Sequence, residues 1–161
     1  MSKAQTTSNR LTMAIENYSE DIRLNPDDAY AYNGRGVAYA NLGEYEQAIE
    51  DYTEAIRINP SAIFYTNRGI AYSILGQYEL AIQDYTKAIE INPQYAKAYY
   101  NRGTAYYNRG LAYYDLGQHE QAVEDFEKAI AIDPDDADAY YYRELAYRWG
   151  INHWNKYHAG D

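Results

Sequence analysis

Three histidines, His119, His153 and His158, are the side chains best suited to bind a metal or move a proton. His153 and His158 stand five apart, whereas two imidazoles share one helix face at a spacing of four. His119 takes the place that tyrosine holds at Tyr45 and Tyr78 in earlier copies of a recurring pattern, so ring packing explains it. No nucleophile, base and orienting group can be assembled. Cysteine is absent, which removes disulfides and thiolate metal sites and leaves the redox compartment open. No glycine-rich phosphate loop is present, because the glycines recur where helices would touch or end. These residues predict no catalytic, cofactor or metal site and no enzyme.

The charged residues that do recur are arginine and aspartate. Arg35, Arg68, Arg109 and Arg143 fall at one point of the pattern, and Asp51, Asp84 and Asp125 at another, just after a small alanine. A planar guanidinium suits bidentate pairing with a carboxylate. The expectation is a ladder of ion pairs between helices, each arginine reaching the aspartate of the preceding copy, as Arg68 to Asp51. Pairing within one copy is the alternative.

The elements that would hold these residues come from a repeat. Gly36, Ala38, Tyr39, Leu42, Gly43, Tyr45, Ala48, Tyr52, Ala55 and Pro60 return in the same order as Gly69, Ala71, Tyr72, Leu75, Gly76, Tyr78, Ala81, Tyr85, Ala88 and Pro93. They return again as Gly110, Ala112, Tyr113, Leu116, Gly117, Ala122, Phe126, Ala129 and Pro134. A period of about 34 residues of this make-up resembles the tetratricopeptide repeat family. The resemblance implies an all-α fold, an antiparallel helix-hairpin solenoid wound as a right-handed superhelix. In each repeat a glycine on the first helix, A, and an alanine on the second, B, let the backbones approach. The recurring arginine replaces the leucine usual in the family.

Residues 1–9 are expected as a disordered lead-in, and residues 10–26 as an N-terminal half-repeat, a B helix whose A helix is missing. Asp21 stands there where later copies carry Ala55, Ala88 and Ala129. Full repeats follow at 27–60, 61–93 and 94–134, and residues 135–161 form a C-terminal capping helix and tail. In the cap Glu144 replaces the recurring glycine, and Trp154 is expected to tuck back. The third repeat carries a doubled block, Ala98 to Thr104 followed at once by Ala105 to Leu111. Seven residues turn a helix face by only about 20° and lengthen it by about 10 Å. The expectation is an elongated helix A from Gln94 to Leu116, with Gly103 meeting the preceding B helix, Gly110 meeting Ala122 of the following one, and Tyr99 and Tyr100 exposed. A kink at Gly103 or Gly110 is the alternative, and either would put a step in the superhelix.

The 161 residues carry a formal net charge of −10, which argues against a nucleic-acid backbone partner and favours a basic one. No apolar run marks a signal or membrane span near the start, and the default location is cytoplasmic. Tyrosine occurs 22 times, and a ring with one polar tip suits a thin array without a deep centre.

In this family the A helices line the concave groove. The resemblance places there Tyr30, Asn33, Val37 and Asn41 of the first repeat, and Ile63, Thr66, Ile70 and Ile74 of the second. Tyr107, Leu111 and Tyr114 follow from the third, and Tyr141, Leu145, Arg148 and Trp149 from the cap. Members that clamp the C-terminal carboxylate of chaperones use Lys or Arg and then Asn on the first of these helices. Asn33 and Val37 stand there instead, so that activity is not expected. The expected function is a non-enzymatic protein–protein interaction scaffold that binds a peptide or helix in an apolar, aromatic groove. The alternative is self-association into a homodimer or larger assembly through the N-terminal half-repeat and the irregular third repeat.

Overall fold

A computed structural model describes the backbone of residues 3–158 and the side chains of residues 5–98 and 100–150. Among them the chain is entirely helical, in the order α1 (Lys3–Leu24), α2 (Ala29–Leu42), α3 (Tyr45–Ile58), α4 (Ala62–Ile74), α5 (Tyr78–Ile91), α6 (Ala96–Asp115), α7 (His119–Ile132) and α8 (Ala137–His158). Local chemistry sets the ends. The Asp28 carboxylate caps α2 by accepting from the backbone N–H groups of Tyr30 and Ala31, at 2.9 and 3.1 Å. Gly43 closes it with φ 85°, a conformation that costs glycine little. Its N–H donates to the Ala40 carbonyl while that of Glu44 donates to Tyr39. The same left-handed glycine recurs at Gly76 and Gly117.

The chain divides into two compact units between Ala98 and Tyr99. In the first, α1 to α5 pack each on the next as consecutive hairpins. The register is set by contact of a glycine with a ring sixteen residues on. A Cβ on Gly36 would lie 2.8 Å from the Tyr52 ring, and one on Gly69 would lie 2.7 Å from Tyr85. Between hairpins small residues and single rings interdigitate. One cluster holds Ala29, Ala55, Ile56 and Phe64, and the next holds Ala62, Ala88 and Ala98. The N-terminal helix packs as a B helix on α2, with the Tyr18 ring against Gly34, and Asp21 stays exposed. Residues 3–9, expected to be disordered, form its first turns: α1 runs unbroken from Lys3, because nothing in that polar stretch breaks a helix.

The second unit holds the rest of α6, α7 and α8. The doubled block forms one continuous helix, 20 residues long against 14 in α2, with no break at Gly103 or Gly110. Gly110 faces the Phe126 ring of α7, with 2.9 Å to a would-be Cβ, on the helix that carries Ala122. Gly103, expected against the preceding B helix, faces α7. It meets Ile132 at the far end of α7, 3.1 Å from a would-be Cβ. Once Gly110 and Phe126 fix an antiparallel pair, a residue seven earlier on α6 must lie near one six or seven later on α7. Tyr100 is exposed, and the side chains of Tyr99 and Trp154 lie outside the described residues. α8 continues without interruption to His158.

The ion-pair ladder exists, but its pairs close within each repeat. Arg35 grips Asp51 through Nε and Nη2, at 2.8 and 2.7 Å, and Arg68 grips Asp84 at 2.8 Å through both atoms. Arg109 grips Asp125 at 2.6 and 2.9 Å. The preceding copy was the wrong partner for a geometric reason. Arginine precedes the glycine and aspartate precedes the ring, so the glycine–ring contact carries the pair with it. The preceding helix is reached only through a hydroxyl: Arg68 Nη1 donates to Thr53 Oγ1 at 3.0 Å, and Arg35 Nη1 to Ser19 Oγ at 3.1 Å. Tyrosines flank each guanidinium, with Tyr65 and Tyr72 at 5.7 and 5.8 Å from Arg68. Burial pushes the Asp84 carboxyl above the usual carboxylate range, and the Arg68 hydrogen bonds pull against it. On the fourth copy, Arg143 stacks on Tyr140 at 5.2 Å, its Nε buried without a hydrogen-bond partner.

Three outcomes are expected. Gly69→Ala lowers stability by about 1–3 kcal/mol in a urea melt, although alanine is the better helix former by about 1 kcal/mol, because the added methyl must displace the Tyr85 ring. Asp84→Ala costs about 3–5 kcal/mol by leaving Arg68 buried without its carboxylate, and Arg68→Met with Asp84→Leu costs less than that single change. Burial pushes the Tyr52 phenol from 10.0 up to about 12. An unfolded phenol loses its proton first, so the stability this ring contributes is full below pH 10 and is lost as pH rises through about 12. Tyr52→Phe therefore moves the alkaline unfolding midpoint, followed by circular dichroism, to higher pH.

Candidate functional site

Helices α2 and α4 lie side by side in the first unit, and with α3 they frame a cavity of about 260 Å³. α2 contributes Val37, Ala40 and Asn41, spaced to share one helix face. α4 contributes Asn67, Ile70, Ala71 and Ile74, a stripe at helical spacing, and Tyr45 and Tyr52 of α3 form the floor. The small Ala40 and Ala71 leave the space that larger residues would fill. Val37 and Ile74 stand 37% and 55% exposed, so an apolar lip reaches solvent. Above it the Asn67 Nδ2 donates to Asn33 Oδ1 at 2.9 Å. That bond leaves two N–H donors on Asn33 and the carbonyl of Asn67 able to engage a further group.

No charged residue lines this cavity. The cations of α2 to α5 are all held elsewhere: Arg35 by Asp51, Arg57 by Glu54, Arg68 by Asp84 and Lys87 by Glu90. Hydrogen bonds to their carboxylates raise the pKa of all four above the ordinary value, so each stays charged.

The structure brings together Val37, Asn41, Ile70 and Ile74 and places Asn33 beside them. It does not bring Thr66, which is fully buried with its hydroxyl unbonded. Counted from the glycine, Thr66 is the equivalent of Asn33. The side chain that reaches Asn33 is the next one, Asn67, which that count passes over. The 34-residue separation of the two amides, one full repeat, was the available signal. Tyr30 and Ile63 are exposed on the first turns of their helices, Tyr30 with its ring edge-on to Phe64 at 5.4 Å.

In the second unit Tyr107, Leu111 and Tyr114 are half-buried around Phe126. The Tyr107 ring lies 5.9 Å from Phe126 and 6.2 Å from Tyr142, and Tyr114 packs on His119 at 5.6 Å. These rings fill the space between helices and leave less free surface than the family's pattern implied. Burial pushes the Tyr107 phenol up, with Asp138 and Asp136 adding to it. On α8, Tyr141 and Trp149 are 59% and 57% exposed, Arg148 is exposed and paired with Glu144, and Leu145 is half-buried. Among the described residues no cluster of three or more His, Asp or Glu side chains could hold a metal, and no helix is long and apolar enough to cross a membrane.

Tetratricopeptide repeat sequence models match residues 29–61 and 104–136, and residues 4–43 and 69–110. None of the curated proteins matches the chain by sequence. Among solved structures the chain is similar to MamA, at 28% identity over 92% of this chain and 84% of that one, with a TM-score of 0.63. It is similar to the second domain of human RPAP3, solved in complex with the HSP70 peptide SGPTIEEVD, at 33% identity over 73% and 93% with a TM-score of 0.52. The first domain of Spaghetti, bound to the HSP90 peptide SRMEEVD, matches at 28% identity over 74% and 90%, with a TM-score of 0.50. With three Gly–ring hairpins, a leading B helix and sequence models that together span most of its length, the chain belongs to the tetratricopeptide repeat family, whose repeats are protein-interaction modules.

Proposed function

We propose that this protein is a non-enzymatic scaffold that binds a peptide or helix of a partner protein along the α2–α4 face. The observation that carries this reading is the open apolar cavity between Val37 and Ile74, topped by the Asn33–Asn67 amide pair. Apolar walls with a few placed amides are what an extended segment needs: burial supplies affinity, and amides satisfy its backbone. Relatives of the same fold bind peptides, which supports the reading at the level of the family.

Self-association is the second reading. It draws on α1, whose Met13 and Leu24 are 61% and 68% exposed.

The test is a pull-down with wild type beside Val37→Glu plus Ile74→Glu. Both positions are exposed enough that the thermal melt should not move. The double variant is expected to lose the specifically captured partner, and an unchanged capture rejects the groove. A dimer that resists dilution in light scattering, and that Met13→Glu dissolves, would favour the second reading.

A further inference from the structure

Resting on the groove reading, we infer that the ligand is an internal segment of a partner chain. It inserts one uncharged apolar side chain into the α2–α3–α4 cavity and carries lysine or arginine on its flanks. A chain terminus bearing a free carboxylate does not fit.

Charge is the first argument. The cavity has no charged wall, and each cation of α2 to α5 is already in an ion pair. A carboxylate brought to this face would lose its water and find no positive partner. Drawing Arg35 or Arg68 away would strip Asp51 or Asp84, which are 4% and 5% exposed. Volume is the second argument, since about 260 Å³ accepts a leucine, methionine or phenylalanine side chain. Amide chemistry is the third. The free donors of Asn33 and the free carbonyl of Asn67 complement the C=O and N–H of a peptide bond, which an internal segment offers on both sides of its anchor. The chain as a whole is acidic, with a net charge of −10. Basic flanks would be drawn to it and an acidic tail repelled.

Fluorescence anisotropy on the full chain decides it with two labelled peptides. One is capped at both ends, with a central leucine between lysine pairs. The other ends in Glu-Glu-Val-Asp with a free carboxylate. The capped peptide is expected to bind at least tenfold more tightly, to weaken as salt rises, and to lose at least tenfold in Val37→Lys and in Asn67→Ala, both with unchanged melts. Equal or tighter binding of the carboxylate peptide, abolished by Val37→Lys, overturns this inference and leaves the groove standing. Binding of either peptide that Val37→Lys leaves untouched, or binding of neither, overturns both.

Discussion

An Arg-Gly pair on one helix set against an Asp-aromatic pair on the next is the contact on which every hairpin depends. The glycine lets the ring lie flat on the neighbouring backbone, and the arginine and aspartate close over the same contact. Neither half would hold as well alone. A ring on a bare backbone fixes distance but allows sliding along the helix, whereas a two-pronged guanidinium–carboxylate pair tolerates little sliding. An ion pair without the close approach would leave both groups wet and weak. Tyrosine rings within 6 Å of each guanidinium help to shield it from water.

That arrangement also decides what the binding face can be. In the first unit it spends the arginines of the A helices on structure, so the face between α2 and α4 is left with valine, isoleucine, alanine and asparagine. The fold and the specificity are therefore coupled through Arg35 and Arg68. A protein that kept an aliphatic residue at those positions could spare its cations for a ligand, and this one cannot.

The doubled block shows how much irregularity such a contact tolerates. Seven residues are close to two helical turns, so an addition of that size turns a helix face by only about 20°. The first turn of α6 supplies Ala98 to the cluster around Ala62 and Ala88, and its last turns supply Gly110 to Phe126.

Much of this was written in the order of residues. The glycines, alanines and rings recur at fixed intervals, and that period, through the family it resembles, indicated the helix hairpins, their order and an elongated α6. The four cavity residues Val37, Asn41, Ile70 and Ile74 could be named because the resemblance lines the groove with the A helices. Partner choice was another matter. Arg68 could have met Asp51 or Asp84 on spacing grounds, and only the packed hairpin selected Asp84. Thr66 and Asn67 are adjacent, a rotation of about 100° apart on the helix, and sequence counting chose the buried one. Whether Tyr107 and Tyr114 face solvent or Phe126 depended on neighbours far along the chain. A linear pattern records which face a residue occupies. It does not record which other helix comes to cover that face, because that follows from the summed packing of all of them.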